Sequence, residues 1–288
     1  MRGKRGEGGP VGSRLHLAVA LQATEVFRAK HWAGLVREAE DAKLDFVTFD
    51  DSLDGRPGLD AVLTAARIAP LTSRIGLVPT AVVTHTEPFH VSKAIATLDY
   101  VSKGRAGVEL TVAPEPATAR HFGRRDDLTD LWDEAADYVT VLRGLWDSWE
   151  DDAEIRDVAT GRFIDREKLH YLDFEGRWFS VRGPSITPRP PQGHPPVSAT
   201  EPVGDVVFSD DPLAGGLVFR DVDATTPVDR LIAWHEEGFA GFRLHGDLAH
   251  VTGTLVPELQ RRGLFRTEYE HATLRGHLGL TRPANQFA

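Results

Sequence analysis

An alternation of short apolar, β-prone runs with longer segments of helical periodicity constrains the fold of this chain more than any other feature. Four such pairs follow one another between residues 15 and 149. Repeated strand–helix units predict a parallel sheet with right-handed crossover connections. The predicted strands are 15–21, 45–49, 74–84 and 105–112, and the predicted helices are 29–43, 58–70, 87–103 and 128–149.

Both a doubly wound sheet and a closed barrel are built from units of this kind. A dinucleotide-binding sheet carries a Gly-rich turn after its first strand, and no such turn follows residues 15–21. We therefore favour a TIM-barrel-like (β/α)8 fold, whose usual size of about 250 residues is somewhat below the 288 residues of this chain.

The spacing of the predicted elements tightens after Pro196. The segments 196–200, 205–208 and 217–222 each resemble strands, but only a few residues separate them. Parallel neighbours ordinarily need a crossover of a dozen or more residues. We therefore predict that these segments pair antiparallel, or that the barrel is incomplete or compressed around strands 5–7. A helix over 227–239, a final strand over 241–245 and a helical tail over 254–280 complete the prediction.

The remaining segments define the domain organisation. Residues 1–14 are Gly- and Arg-rich without the apolar stretch of a secretory signal, so we predict a disordered tail. Residues 15–288 are predicted to form a single barrel domain with an insertion at about 150–195. Within it, 168–174 and 177–181 flank Glu175-Gly176, a pattern typical of a β-hairpin.

The composition limits the partners that we expect. A formal net charge of −10 argues against a nucleic-acid groove, which needs clustered positive charge. The sequence has no cysteine, so it forms no disulfide, as is usual in a reducing cytoplasm. It also has no run of about 18 apolar residues that could span a membrane. We expect a cytoplasmic protein that binds neither nucleic acid nor membranes.

Seven short segments carry a resemblance to a known family. They are Ser73–Leu77, Thr86–His90, Thr97–Gly107, Ala119–Gly123, Leu145–Asp152, Phe179–Pro184 and Val256–Gly263. In this order they resemble the luciferase-like flavin-dependent monooxygenases, in particular the nitrilotriacetate monooxygenase-like branch, shortened in the C-terminal half. The resemblance implies an α/β barrel that uses reduced FMN, supplied by a separate flavin reductase, to activate O2 and oxygenate a small organic substrate. It leaves open the deazaflavin F420 in place of FMN, and a homo- or heterodimer.

Active sites of such barrels lie at the C-terminal ends of the strands, and this places several polar residues in the predicted site. The candidate catalytic residues are Asp51, which matches the family's acidic position after the second strand, and His85, a group able to move a proton near neutral pH. The candidate cofactor-binding residues are Thr80, Thr84, Thr111, Ser198 and Thr200. Each has a structural alternative, since Asp51 suits a helix cap and threonine is a favoured strand residue.

Three departures from the family pattern bear on activity. Glu109 stands in the fourth strand, where it would repel an anionic reduced flavin if it points inward. Leu131-Trp132 replaces the usual Arg-Tyr of the following helix. After Pro196, the interval that normally holds a Gly/Ser turn and a phosphate-binding helix is nearly absent, and Glu201-Pro202 brings a negative charge and lacks one N–H. The alternative function is therefore a degenerate, non-catalytic barrel that serves as a partner subunit of an active paralogue.

Overall fold

A closed barrel of eight parallel strands forms the centre of the computed structural model, which describes residues 14–51, 53, 55–123, 125 and 127–288. The strands are β1 (His16–Ala20), β2 (Phe46–Phe49), β3 (Gly76–Val82), β4 (Val108–Thr111), β5 (Glu154–Asp157), β6 (Arg162–Ile164), β7 (Phe174–Glu175), β8 (Ser180–Val181), β9 (Val197–Ala199), β10 (Val206–Phe208), β11 (Leu217–Asp223) and β12 (Gly241–His245). Eight of these strands form the barrel, in the order β1-β12-β11-β10-β9-β4-β3-β2. The other four form two separate two-stranded sheets, β5 with β6 and β7 with β8. The predicted TIM-barrel-like fold is confirmed; the tail predicted for 1–14 lies, apart from Arg14, outside the described residues.

The helices pack on the outside of this ring. They are α1 (Ala29–Asp41), α2 (Ala61–Ile68), α3 (Pro88–Ser102), α4 (Pro116–Phe122), α5 (Leu131–Asp147), α6 (Val228–Glu237), α7 (Leu248–His250), α8 (Val256–Arg261) and α9 (Leu274–His277). In α1, Trp32, Val36 and Ala39 recur at helical spacing and are all buried. The five helices predicted between strands therefore form, but α2 buries Ala61, Ala65 and Ile68 while Leu63 stays exposed.

Alternate residues of each strand point into the barrel and outward to the helices. In β12, Phe242 and Leu244 pack in the core between barrel and helices, whereas Arg243 lies inside and reaches Glu109 of β4. Phe46 and Phe219 fill part of the interior, with ring centroids 5.5 Å apart. The interior is thus apolar in one part and charged in another, and the charged part forms the site described below.

The crowded segment after Pro196 forms three full members of the barrel. β9 pairs parallel with β4 and β10, and β10 pairs parallel with β11. The expectation of antiparallel pairing or an incomplete ring is therefore wrong, while compression is confirmed, because residues 200–205 and 209–216 connect these strands without a helix. Strands β9 and β10 have only three residues each. To begin the next parallel strand, the chain must run back along a strand only about 10 Å long. Six extended residues, the number between β9 and β10, can span more than this distance.

Two further expectations need correction. The predicted helical tail over 254–280 instead begins at Leu248, continues through a π-helical turn to Arg261, and is followed by non-helical chain until α9. The hairpin predicted around Glu175-Gly176 forms as β7–β8, and a second hairpin, β5–β6, precedes it without having been predicted. Helix α4 was also missed, since its seven residues are too few to show a period.

Asp99 ties the end of α3 to the segment that precedes β9. Its buried carboxylate accepts hydrogen bonds from the backbone N–H of Gln192 at 3.0 Å, from Gln192 Nε2 at 2.6 Å and from the N–H of Ala106 at 3.2 Å. Burial raises the pKa of Asp99 to about 6, although these hydrogen bonds oppose the shift. A carboxyl whose pKa is higher in the folded state stabilises the fold at low pH, and this contribution is lost as pH rises through about 6.

Between about pH 4.5 and pH 7.5, the raised pKa of Asp99 lowers the free energy of unfolding by about 2 kcal/mol. We expect Asp99→Asn, which cannot ionise, to be less stable overall because its amide presents N–H groups to the donors of Gln192. Its deficit relative to the parent protein should shrink by about the same 2 kcal/mol across this range, as measured by urea unfolding. A deficit that is constant with pH would contradict the assignment.

No helix among the described residues is long and apolar enough to cross a membrane.

Candidate active site

A cavity of about 520 Å3 opens at the C-terminal ends of β1 to β4 and β12, within the usual range for small-molecule sites. We call it the mouth cavity. Its apolar wall includes Leu21, Val26, Trp32 and Leu59. Its polar lining consists of Gln22, Thr48, Asp50, Asp51, Arg56, Thr80, Glu109, Thr111, Arg243 and His245.

Arg243 is the centre of the charge network in this cavity. Its Nη1 donates to Glu109 Oε1 at 2.7 Å, and its Nε and Nη2 donate to the two carboxylate oxygens of Asp221 at 2.6 and 2.7 Å. His245 Nε2 lies 2.8 Å from Asp221 Oδ1. The guanidinium also lies over the ring of Phe208, 3.6 Å from its centroid. One cation thus joins carboxylates of β4 and β11 across the barrel.

The environment of the network shifts the pKa values of its members. Burial raises the pKa of Glu109, against the attraction of Arg243. Burial acts in the same direction on Asp221, but the hydrogen bonds from Arg243 and His245 outweigh it and lower the pKa of Asp221 to about 2. Burial would lower the pKa of Arg243, yet the two carboxylates raise it. The inward Glu109 is therefore held by a permanent cation of the chain itself.

Three of the predicted site residues lie together in the mouth cavity. Thr80 is buried in β3, and Thr111 ends β4 with an Oγ1 atom that is buried and has no hydrogen-bond partner among the described residues. Asp51 follows β2, and its Oδ2 accepts the backbone N–H of Ala61 at 3.1 Å. Burial raises the pKa of Asp51. Asp51 therefore lines the cavity and caps α2 at the same time.

Thr84 and His85 line a second cavity, also of about 520 Å3, which shares no lining residue with the mouth cavity. This second cavity lies between the chain after β3, the starts of α3 and α5, and the β7–β8 hairpin. The ring of His85 stacks on Phe122 with centroids 4.7 Å apart, and its Nε2 is buried without a partner among the described residues. Burial, followed by the charge of Arg125, lowers the pKa of His85. Thr84 Oγ1 accepts the N–H of Ala113 at 2.9 Å.

Ser198 and Thr200 line neither cavity. The hydroxyl of Ser198, inside β9, donates to the carbonyl of Val108 at 3.3 Å. Thr200 is exposed just beyond β9. The structure therefore divides the predicted residues into three groups: Asp51, Thr80 and Thr111 in the mouth cavity, Thr84 and His85 in the second, and these two outside both.

Sequence reasoning missed Arg243, His245 and Asp221. The signal that could have found them is the alternation in β12, where Arg243 and His245 interleave with Phe242 and Leu244. In a barrel strand whose apolar residues face the helices, the intervening polar residues must face the interior. Among the described residues there is also no group of three or more His, Cys, Asp or Glu side chains placed to hold a metal ion.

Comparison with known proteins places this geometry in context. A family model described as luciferase-like monooxygenase matches residues 13–201. The chain is 39% identical over 181 residues to N-acetyl-S-(2-succino)cysteine monooxygenase of Bacillus subtilis (strain 168), a match that covers 59% of this chain and 41% of that protein. The chain thus spans about two fifths of the length of that relative.

Two other relatives match almost from end to end. Nitrilotriacetate monooxygenase component A of Aminobacter aminovorans is 27% identical over 422 aligned positions, covering 93% of this chain and 92% of the relative. Because 422 exceeds the 288 residues of this chain, that relative carries long segments that this chain lacks. A subunit of the pristinamycin IIA synthase of Streptomyces pristinaespiralis is 31% identical over 264 residues, covering 88% of this chain and 90% of the relative.

The match to the pristinamycin IIA synthase subunit shows that a relative of similar length also has the shortened chain. The match to nitrilotriacetate monooxygenase component A confirms the predicted resemblance. Together with the family model, which covers more than half of the chain, they agree with a closed barrel whose polar residues gather at the C-terminal ends of its strands. The chain belongs to the luciferase-like monooxygenase family.

Proposed function

We propose that this protein is a flavin-dependent monooxygenase that acts on a small organic substrate at the mouth of its barrel. The observation that carries the proposal is the mouth cavity, where Thr80 and Thr111 lie on neighbouring strands at the position that barrel enzymes use for catalysis. Reduced flavin, when bound there, supplies the electrons that activate O2.

The residues of the mouth cavity suit the ring system of a flavin. Trp32, Leu21 and Leu59 offer apolar surface, and the unpaired Oγ1 of Thr111 offers a hydrogen bond that no group of the described chain uses. A buried hydroxyl without a partner is costly, so a ligand that supplies the partner gains from it. The described residues fit the phosphate of FMN less well.

The work of the chain in this proposal is positioning and the exclusion of water. The apolar wall shields the reacting atoms from solvent, while Thr80 and Thr111 orient the ring. Asp51 holds the start of α2 against the cavity through its bond to Ala61. His85, whose lowered pKa favours the neutral imidazole, would move a proton for a substrate that extends to the second cavity.

A partner protein is part of the proposal. The names of two relatives, one a monooxygenase component and the other a synthase subunit, describe proteins that act with another polypeptide. We propose that a separate flavin reductase supplies the reduced cofactor, which we take to be FMN or a closely related flavin, with F420 as the alternative.

The direct test is an anaerobic titration of the purified protein with reduced FMN, followed by quenching of tryptophan fluorescence, since Trp32 lines the cavity. We expect saturable binding in the micromolar range. The absence of saturation at high micromolar concentrations of FMN, riboflavin and F420 alike would leave the non-catalytic barrel as the function.

A pair of threonine variants locates the site. Thr111→Val removes a hydroxyl that has no partner among the described residues, so we expect stability that is unchanged or slightly higher, and flavin binding weakened by roughly three- to tenfold, the value of one hydrogen bond. The matched control, Thr84→Val, removes the acceptor of the Ala113 N–H and should cost about 1 to 2 kcal/mol of stability without changing flavin affinity. The reverse pattern would place the flavin in the second cavity.

A further inference from the structure

We propose that the flavin site of this chain makes no discriminating contact with a phosphate, so that it binds riboflavin about as tightly as FMN. This inference rests on the proposed flavin-dependent function and concerns which form of the flavin the site accepts. It follows from the way in which the chain's own carboxylates pair with the arginines of the two cavities and, together with backbone carbonyls, accept several of the N–H groups near the barrel mouth.

The connection from β9 to β10 offers little to a phosphate. It contains no helix, and two of its backbone donors are already used: the N–H of Val203 donates to the carbonyl of Glu201 at 2.8 Å, and the N–H of Asp205 donates to the carbonyl of Val197 at 2.7 Å. Pro202 has no N–H, and Glu201 adds a negative charge. Phosphate sites in proteins depend on free backbone N–H groups, commonly at a helix N-terminus.

In the connection from β10 to β11, Asp211 accepts two of the backbone N–H groups. Its Oδ1 accepts the N–H of Leu213 at 2.9 Å, and its carbonyl accepts the N–H of Ala214 at 3.1 Å. The N–H of Ser209 donates to Phe219 at 3.0 Å. An anionic ligand would therefore have to compete with the carboxylate of Asp211 for the N–H of Leu213.

Carboxylates also cap two of the helices that begin near the barrel mouth, α2 and α7. In α2, Asp60 accepts the N–H of Leu63 at 2.7 Å and Asp51 accepts that of Ala61. At the start of α7, Asp247 accepts the N–H of Ala249 at 3.0 Å. At these two helix ends, whose partial positive charge would attract a phosphate, a carboxylate of the chain is already bound.

The arginines that line the two cavities are paired with carboxylates as well. Arg56 pairs with Asp50 at 3.0 Å, Arg125 with Glu134 at 2.7 Å and Arg177 with Asp130 at 2.8 Å. Arg243 is held between Glu109 and Asp221. A phosphate that bound any of them would have to displace an anion of the chain, or lie beside it and be repelled.

The ring of the flavin meets a different surface, since the apolar wall and the hydroxyls of Thr80 and Thr111 carry no charge. Contacts to the ring are identical for riboflavin and FMN, which differ only by the phosphate. Discrimination between two ligands is the difference of their binding free energies, and here the flavin ring, which both ligands share, supplies the affinity. We therefore expect a ratio of dissociation constants close to one.

The test compares reduced riboflavin with reduced FMN in parallel anaerobic titrations of the full chain, at low salt and at about 0.5 M salt. We expect affinities within threefold of each other, a ratio that salt does not change, and no competition from inorganic phosphate. FMN binding at least tenfold tighter at low salt, with the advantage lost in salt or in the presence of phosphate, would overturn the inference and leave the proposed function intact. Failure of both flavins and of F420 to bind would instead refute the proposed function.

Discussion

Replacing Arg243 with methionine is expected to lower the free energy of unfolding by about 3 kcal/mol, because it leaves the buried carboxylate of Glu109 without its cation. Removal of one partner of a buried ion pair costs about 3 to 5 kcal/mol. We take the lower end because the side chain of Asp221, the other partner, is 43% exposed and regains water. Urea unfolding followed by far-ultraviolet circular dichroism measures the loss.

Two companion variants separate the effect of the uncompensated buried charge on stability from the general effect of removing an arginine side chain. Glu109→Gln in the Arg243→Met background removes the uncompensated charge and should restore about 1 to 2 kcal/mol, a coupling that independent sites would not show. Arg261→Met removes an exposed arginine whose partner Glu258 lies on the same helix, and should cost less than about 1 kcal/mol. Equal losses for Arg243→Met and Arg261→Met would show that the network contributes no more than a surface pair.

Gly204→Ala is expected to destabilise the barrel by about 2 to 3 kcal/mol through overpacking of the compressed connection. A Cβ atom at this position would lie 2.4 Å from the carbonyl oxygen and 2.9 Å from the carbonyl carbon of Val197. Both are backbone atoms of β9, so no side-chain rotation relieves the contact. The loss should appear as a lower midpoint of urea unfolding with little change in the dependence on denaturant.

The matched control for this variant is Gly253→Ala. A Cβ atom there meets nothing within 4 Å, and the residue lies in the helical segment that leads to α8. Alanine is the better helix former, so the control should be neutral or gain up to about 1 kcal/mol. Equal changes in the free energy of unfolding for the two alanine variants would show that the close approach of residues 200–205 to β9 does not determine the effect of Gly204→Ala.

The positions of the barrel strands could be predicted from the sequence because each is a short apolar run bounded by polar residues. Even the three crowded segments after Pro196 were recognised, and they form β9, β10 and β11. Their pairing was not predictable, since the expectation of a long crossover holds for strands of ordinary length. Here the strands are so short that the chain returns without a helix, and only the register of neighbouring strands shows this.

The candidate site was predicted in part for a similar reason. Thr80 and Thr111 follow from the rule that barrel sites lie at strand ends, and both line the mouth cavity. Thr84 is only four residues beyond Thr80, yet it lies past the end of β3 in a short 3-10 turn and lines the second cavity with His85. A change from strand to turn redirects side chains, and this change is not visible in a run of apolar and threonine residues.

By itself the sequence determined the class of the molecule: repeated strand–helix units, a family resemblance spread along the chain, and an excess of acidic residues. These are local or additive properties, and each is readable from neighbouring residues. Only the tertiary structure decided that the ring closes, that Glu109 points inward, and that Arg243 and Asp221, distant from it in sequence, meet it. Such outcomes depend on the register between strands, where a shift of one residue moves every side chain to the other face.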